Sequence, residues 1–228
     1  MRTLGGREGL VTFSARVAFR AFATAIAATV VLLGSQVRTS TLAASGDVSF
    51  RVTYYYTALE GDYSAADAQP FLDRRGRVLH NGGREFRNAA EIEGSARLAD
   101  GRVINIVGES ARPRWRVVNA AYGIDTRGCP LVPFRSAAVD PRIIPLGSIL
   151  HIPSTVGVRV PGGGRHDGTW YAVDVGSQIR GQHVDLFTGF GINSMSRFRD
   201  GPNADESTIV TVTGALPVRR GERTRCLP

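Results

Sequence analysis

Lysine is absent from this 228-residue chain: all 28 basic side chains are arginine, against 20 acidic ones, for a formal charge of +8. The bias reads as codon preference more than as function. A basic balance suits acidic polymers, nucleic acid or anionic wall glycans, without choosing between them. Cysteine is nearly absent too. Two residues exclude a disulfide-dense miniature scaffold and a four-cysteine zinc site. The four histidines, His80, His151, His166 and His183, are scattered, so no metal is expected. A nucleotide-binding glycine loop is also missing, and no cofactor is expected. No apolar run reaches the ~20 residues of a membrane-spanning helix; the longest, Ala21–Leu33, has about 13. What remains is a globular composition, 43% hydrophobic and 21% charged, which argues against disorder. The length suits one large domain or two small ones. With 27 glycines and 11 prolines, turns and short strands are favoured.

The first 44 residues read as targeting, not fold. Arg2, Arg7, Arg16 and Arg20 precede the apolar run, and a small-residue stretch ends at Leu42-Ala43-Ala44. That is the order of a secretory signal, with an uncleaved N-terminal anchor as the alternative. No cysteine stands at the end of the run to carry a lipid. Removing residues 1–44 takes away five arginines and one glutamate, and the charge falls from +8 to +4. The expected location is the periplasm or cell envelope, or outside the cell, without stable membrane insertion after cleavage. In an oxidising compartment Cys129 and Cys226 are most simply one disulfide, with a reactive thiol as the alternative. No basic, aromatic-interleaved face supports a nucleic-acid partner, and a monomer is expected.

The mature chain is rich in strand signals. Ser49–Thr57 is β-branched and aromatic, and its first half alternates. Ser95–Ala99 and Arg102–Val107 flank Asp100-Gly101, a strong hairpin signal. Further strands are expected at Arg116–Tyr122, Ser136–Asp140, Ser148–Ile152, Thr169–Val175, His183–Phe187 and Thr208–Leu216. Helical patterns are short: Ala65–Leu72 and Ile192–Phe198. Strands at this spacing, broken by Gly and Pro, predict an all-β barrel or sandwich.

Three aspartates stand where strands should be apolar. Asp140 ends AAVD. Asp174, in WYAVDVG, shares a period-two face with Trp170 and Ala172. Asp185, in HVDLF, shares one with His183 and Phe187, while Val184 and Leu186 point the other way. A carboxylate inside an apolar strand costs free energy unless hydrogen-bonded or protonated. Asp140 before proline also suits a turn, and Asp174 before Val-Gly suits capping of loop amides. Asp185 has no turn residue after it until Gly189. Between the last two lies Gly176-Ser-Gln-Ile-Arg-Gly181, a loop able to bring Asp174 and Asp185 onto neighbouring strands, with Arg180 placed to meet an anionic substrate.

These residues resemble a known pattern. DPRIIPLGSIL (140–150) and AVDVGSQIRGQHVDLFTG (172–189) resemble the three-aspartate domain, with Asp140, Asp174 and Asp185 on its three positions. The same domain ends the membrane-bound lytic murein transglycosylase A family. TYYYTALEG (53–61) is similar to that family's aromatic entry strand, and IEGSARLADGRV (92–103) to its glycine-serine motif before a hairpin. The resemblance runs from about Thr53 to Leu216. It implies a six-stranded double-psi β-barrel over 45–228, with few short helices and with 64–127 as a β-rich insertion or reduced second domain. The pattern departs at Ser177, where the family has glycine, and at Arg180, where it has lysine. Ser177 tolerates a positive φ poorly, which bears on loop geometry.

The resemblance also implies a reaction. Lytic transglycosylases cleave the bond between N-acetylmuramic acid and N-acetylglucosamine in peptidoglycan strands without water. The muramoyl C6 hydroxyl attacks its own anomeric carbon and leaves a 1,6-anhydro ring. One carboxyl group then suffices, where an ordinary glycosidase uses two. Asp185 takes the family's acid/base position, protonated at the start, with a pKa raised by burial and by a neighbouring like charge. Asp174 is expected either to be that neighbour or to orient the loop, and Asp140 to be a structural or supporting member of the catalytic set. Substrate contacts are expected from Trp170, as a stacking platform, from Gly176, Ser177, Gln178 and Arg180 on the loop, and from His183 and Tyr55. His166 and Asp167 are expected to be solvated. Two other functions stay open: a hydrolase using Asp185 and Asp174 with water, and a wall-binding module without catalysis.

Overall fold

A computed structural model describes residues 48–108, 112–200, 206–216 and 226–227; the expected export signal at 1–44 lies outside the described residues. In chain order the elements are β1 (Val48–Leu59), β2 (Gln69–Leu72), β3 (Val78–Gly82), α1 (Arg84–Glu93), β4 (Ser95–Arg97), β5 (Val103–Val107), β6 (Arg114–Val118), β7 (Ser136–Val139), β8 (Ser148–His151), β9 (Thr169–Asp174), β10 (His183–Phe190) and β11 (Ser207–Ala215). Short 3₁₀ turns follow β1, β8 and β10.

Six strands close on themselves in the order β10-β7-β9-β8-β11-β1, and β1 returns to β10. Two pairings, β1–β10 and β7–β9, are parallel and the other four antiparallel. This is the expected all-β six-stranded barrel. Closure removes the unpaired edges that an open sheet leaves. Alternation fills its inside: Val52, Val139, Leu150, Trp170, Val184 and Leu186 are fully buried in one cluster.

β1 is long because it serves two assemblies. Val48–Arg51 pair with β11, whereas Ala58 and Leu59 pair with β4, which leads into β5 and β6. A second core forms around that extension, with Tyr56, Phe71, Phe86, Ile104 and Trp115 buried together. The Asp100-Gly101 hairpin is present: Gly101 sits at φ +86° and Asp100 Oδ1 accepts the Arg102 amide at 3.0 Å. A small third cluster of Tyr55, Leu131, Ala138, Ile179 and Phe187 lies on the other side of β7 and β10. Cys129 and Cys226 form a disulfide across 97 residues, with Cα atoms 5.2 Å apart.

Two expectations fail locally, and one element was not expected. Ala65–Leu72 is not a helix: Asp67 takes φ +54°, and Gln69–Leu72 pair with β3. Pro70 disfavours the α region for the residue before it, which breaks the pattern. The strand expected at Arg116–Tyr122 ends at Val118, because Tyr122 turns to pack on Phe187 and Phe190. α1 was not foreseen, since its buried stripe is only Phe86 and Ala90; Gly94, left-handed at φ +76°, ends it.

Candidate active site

The parallel register of β1 and β10 sets Thr53 opposite Asp185 and Arg51 opposite His183. Thr53 Oγ1 donates to Asp185 Oδ1 at 2.7 Å. A hydroxyl has one proton, so the 2.9 Å contact to His183 Nε2 must be received from the imidazole N–H. The expected hydrogen-bonding role of His183 is therefore exercised through Thr53. Burial pushes the Asp185 carboxyl up to about 6, against the opposing pull of the Thr53 bond and the Arg51 charge. Asp174 does not contribute to that rise, which leaves the second of its two expected roles, orienting the loop.

Asp174 ends β9, and a bulge decides where it points. The β7–β9 register steps from Ala137 opposite Ala172 to Ala138 opposite Asp174, passing over Val173. One skipped residue reverses the face, so Asp174 leaves the face of Trp170 and Ala172. Its Oδ1 accepts the Thr126 and Val175 amides at 3.0 Å each, and Oδ2 accepts the Tyr55 hydroxyl at 3.3 Å. Burial, with the Asp125 charge behind it, raises its pKa to about 6. Tyr55 is buried against Phe187, ring centroids 5.0 Å apart. Burial and the charges of Asp174 and Asp185 keep its proton in place. Tyr55 is thus a buried link between two carboxylates and not an open sugar platform.

Asp140 has no oxygen left for a substrate. Oδ1 accepts Arg142 N and Nε at 3.0 and 2.9 Å, while Oδ2 accepts Arg142 Nη2 at 2.6 Å and Gly181 N at 2.8 Å. The Arg142 guanidinium holds its carboxyl well below the ordinary range. Asp140 and Asp174 thereby fasten the two ends of loop 175–182, at Gly181 and Val175. A depressed pKa adds stability above the unfolded value that is lost as pH falls through the folded one. Asp140→Asn should therefore melt lower than wild type at pH 7, with the gap closing toward pH 2 in thermal melts.

Within the loop Gly176 is required sterically: a Cβ there would lie 2.7 Å from Ile179 Cγ1. Ile179 is buried and anchors the loop, while Ser177, Gln178 and Arg180 are exposed. Ser177 is not in the left-handed region, so the serine departure introduces no strain. Arg180 Nη1 donates to the carbonyls of Gly176 and Ile179 at 3.0 and 3.2 Å, which folds this side chain back on its own loop.

Trp170 is not a stacking platform. It is fully buried in the barrel, its indole N–H donates to Thr155 Oγ1 at 3.0 Å, and its ring stacks on His166 at 4.6 Å. His166 is buried as well: Nδ1 accepts the Gly168 amide at 2.8 Å and Nε2 donates to the Phe134 carbonyl at 2.7 Å. Both expectations fail because a loop position or a strand face does not reveal what other segments cover it. Trp170→Phe should lower stability by about 1–3 kcal/mol, through the lost indole bond and cavity, and leave KM for any glycan substrate unchanged.

One carboxyl group was missed. Glu93 is the last residue of α1, where the helix's partial negative charge opposes a carboxylate. Its Oε2 accepts the Tyr56 amide at 3.0 Å. Burial pushes its pKa up to about 8, and the Asp185 charge adds to the rise. The signal lay inside IEGSARLADGRV, where glycine and serine drew attention and the preceding glutamate did not. Among the described residues, neither Glu93 Oε1 nor Asp185 Oδ2 has a hydrogen-bond partner.

A family model, the 3D domain, matches residues 135–198, from just before β7 through the 3₁₀ turn after β10. Residues 135–198 are a 3D domain. Its span holds Asp140, Asp174 and Asp185. Among solved structures, Escherichia coli MltA with bound chitohexaose is 16% identical, with 74% of this chain and 72% of that one covered, at a TM-score of 0.54. A membrane-bound lytic murein transglycosylase from Agrobacterium tumefaciens is 18% identical over 73% and 69% of the two chains, TM-score 0.44. LtgG, a lytic transglycosylase of Burkholderia pseudomallei, is 18% identical over 72% of each, TM-score 0.41. No curated protein matches the chain by sequence. The 3D-domain chain thus has an MltA-like barrel fold. Among the described residues, no helix is long and apolar enough to cross a membrane.

Proposed function

We propose that this 3D-domain protein is a lytic transglycosylase that cleaves peptidoglycan strands between N-acetylmuramic acid and N-acetylglucosamine. In enzyme-class terms it is a carbon–oxygen lyase acting on polysaccharides. One observation carries the reading. Of the three motif aspartates Asp140, Asp174 and Asp185, only Asp185 keeps an oxygen without a partner among the described residues, and burial keeps its proton up to about pH 6. A carboxyl that must first donate a proton to the leaving oxygen needs both properties. Asp174 and Asp140 serve by holding the loop. A water-activating role for Asp174 is disfavoured, because both of its oxygens are occupied.

Three wider proposals go with this. Residues 1–44 direct export to the envelope, where peptidoglycan lies, and 45–228 work there as a monomer without a cofactor. Residues 64–127 are a reduced second domain built onto the end of β1, and they help to hold the glycan. The exposed Ser177 and Gln178 are the loop's contacts to it. Support for a saccharide ligand comes from the shared barrel of Escherichia coli MltA, which holds chitohexaose. Incubated with sedimented murein, the protein should release soluble muropeptides. A protein that cosediments with murein and releases nothing would be a wall-binding module.

A further inference from the structure

The turn that joins β2 to β3 reads Asp73-Arg74-Arg75-Gly76-Arg77. The aspartate shapes it: Oδ1 accepts the Arg75 and Arg77 amides at 2.8 and 2.9 Å, and Oδ2 accepts Arg77 Nε at 2.7 Å. One guanidinium of the three is thereby neutralised. Arg74 and Arg75 are exposed, and β6 adds the exposed Arg116 to the same place. Among the described residues, Arg74, Arg75 and Arg116 make no ion pair or side-chain hydrogen bond. Four guanidinium groups against one carboxylate, a net charge of +3, line a cavity of about 500 Å³ between the hairpin and β6. Its other walls are apolar: Leu79, Val117 and Trp115. Trp115 packs edge to face on Phe71, ring centroids 5.0 Å apart, and its buried indole N–H has no acceptor among the described residues. A buried donor left unpaired is costly, and cations gathered without a counter-charge repel one another. A cavity of this size, apolar with a few donors, suits a small ligand. It stands apart from the carboxylates. β6 is the edge strand, with β5 and β4 between it and β1, about 14 Å away across the sheet.

We propose that this cavity binds the acidic peptide that peptidoglycan strands carry on N-acetylmuramic acid, an inference that rests on the peptidoglycan reading above. Such a stem is short, with several carboxylates and small apolar side chains. Its carboxylates meet Arg74, Arg75 and Arg116, whose planar guanidinium groups offer paired donors to a carboxylate. The Trp115 N–H is a further donor, and the stem's methyl groups lie against Leu79 and Val117. A phosphate polymer would satisfy the charges and leave those apolar walls without a partner. A membrane-docking face leads with large apolar side chains, whereas here the arginines are exposed and the indole is buried. Set apart from the strand that faces Asp185, the cavity grips the glycan strand through its peptide and does not touch the bond that breaks. It therefore acts on KM and not on kcat.

The test is the triple variant Arg74→Gln, Arg75→Gln, Arg116→Gln in the full chain, since none of these side chains holds the fold. Its melting temperature should match that of wild type. Titrated calorimetrically with an N-acetylmuramoyl tripeptide (alanine, glutamate, diaminopimelate), wild type should bind, more weakly as salt rises. The variant should lose about tenfold or more in affinity. On soluble glycan strands that bear stems, its KM should rise by a similar factor at unchanged kcat. On strands stripped of their stems by an amidase, variant and wild type should agree. No binding by wild type, or equal binding by the variant, would overturn the proposal. So would peptide-free chitohexaose bound with the same arginine dependence, which would make the cavity a glycan subsite. Arginine-dependent binding seen only with phosphatidylglycerol vesicles, or only with inorganic phosphate, would overturn it as well. If wild type cleaves neither kind of strand, the transglycosylase reading fails, and the titration still decides whether the cavity holds the peptide.

Discussion

Asp185→Asn should lower murein turnover by about 10²–10⁴-fold or more and leave the barrel folded. The amide fills the same volume, and its oxygen still accepts the Thr53 hydroxyl, so no buried donor is orphaned. What it loses is an exchangeable proton at the open oxygen. Stability separates this from unfolding. Burial raises the folded-state pKa of Asp185 to about 6 from the ordinary 3.8, so the folded protein binds the extra proton between those values. Stability of the wild type therefore falls as pH rises from about 4 to 6, and the loss persists above that. Asp185→Asn does not pay this penalty. It should melt at or above the wild-type temperature at pH 7, and the advantage should vanish near pH 4. A folded Asp185→Asn with wild-type turnover would remove Asp185 from the chemistry.

The second large effect concerns the disulfide. Cys129–Cys226 closes a loop of 97 residues that contains five of the six barrel strands, β7 to β11. In the chain-entropy model, cross-linking so long a loop stabilises the fold by up to about 4–5 kcal/mol. The double variant Cys129→Ser with Cys226→Ser leaves no lone thiol and should melt on the order of 10 °C lower. On non-reducing gels the native protein should run more compactly than its reduced form. Equal melting temperatures, or two free thiols in protein from an oxidising compartment, would contradict this assignment.

The barrel was readable because its strands are short, apolar and punctuated by Gly and Pro, and alternation placed Val184 and Leu186 opposite Asp185. Asp185 stood out because a carboxylate in an apolar strand has few inexpensive explanations. Trp170 was misjudged by the same counting. Period two assumes an unbroken ladder, and the step between Ala137 and Ala138 in the β7–β9 register turns Asp174 away from the tryptophan's face. No local pattern announces such a bulge. His166 was lost for a related reason: its loop folds under, and its partner Phe134 comes from a distant segment. α1 was hidden by a stripe of only two buried side chains, and Ala65–Leu72 by a helix-like composition that Pro70 vetoes. Glu93 was missed because the gap along β1 that its carboxylate fills, at the Tyr56 amide, is a tertiary feature.

The central claim is intramolecular cleavage by the C6 hydroxyl, and the mass of the product end tests it most directly. The full-length protein, incubated with isolated murein beside Asp185→Asn, should yield muropeptides lighter by one water than their hydrolytic counterparts. These 1,6-anhydro ends should be absent from the variant. Products carrying free reducing ends would contradict the account and make the protein a hydrolase.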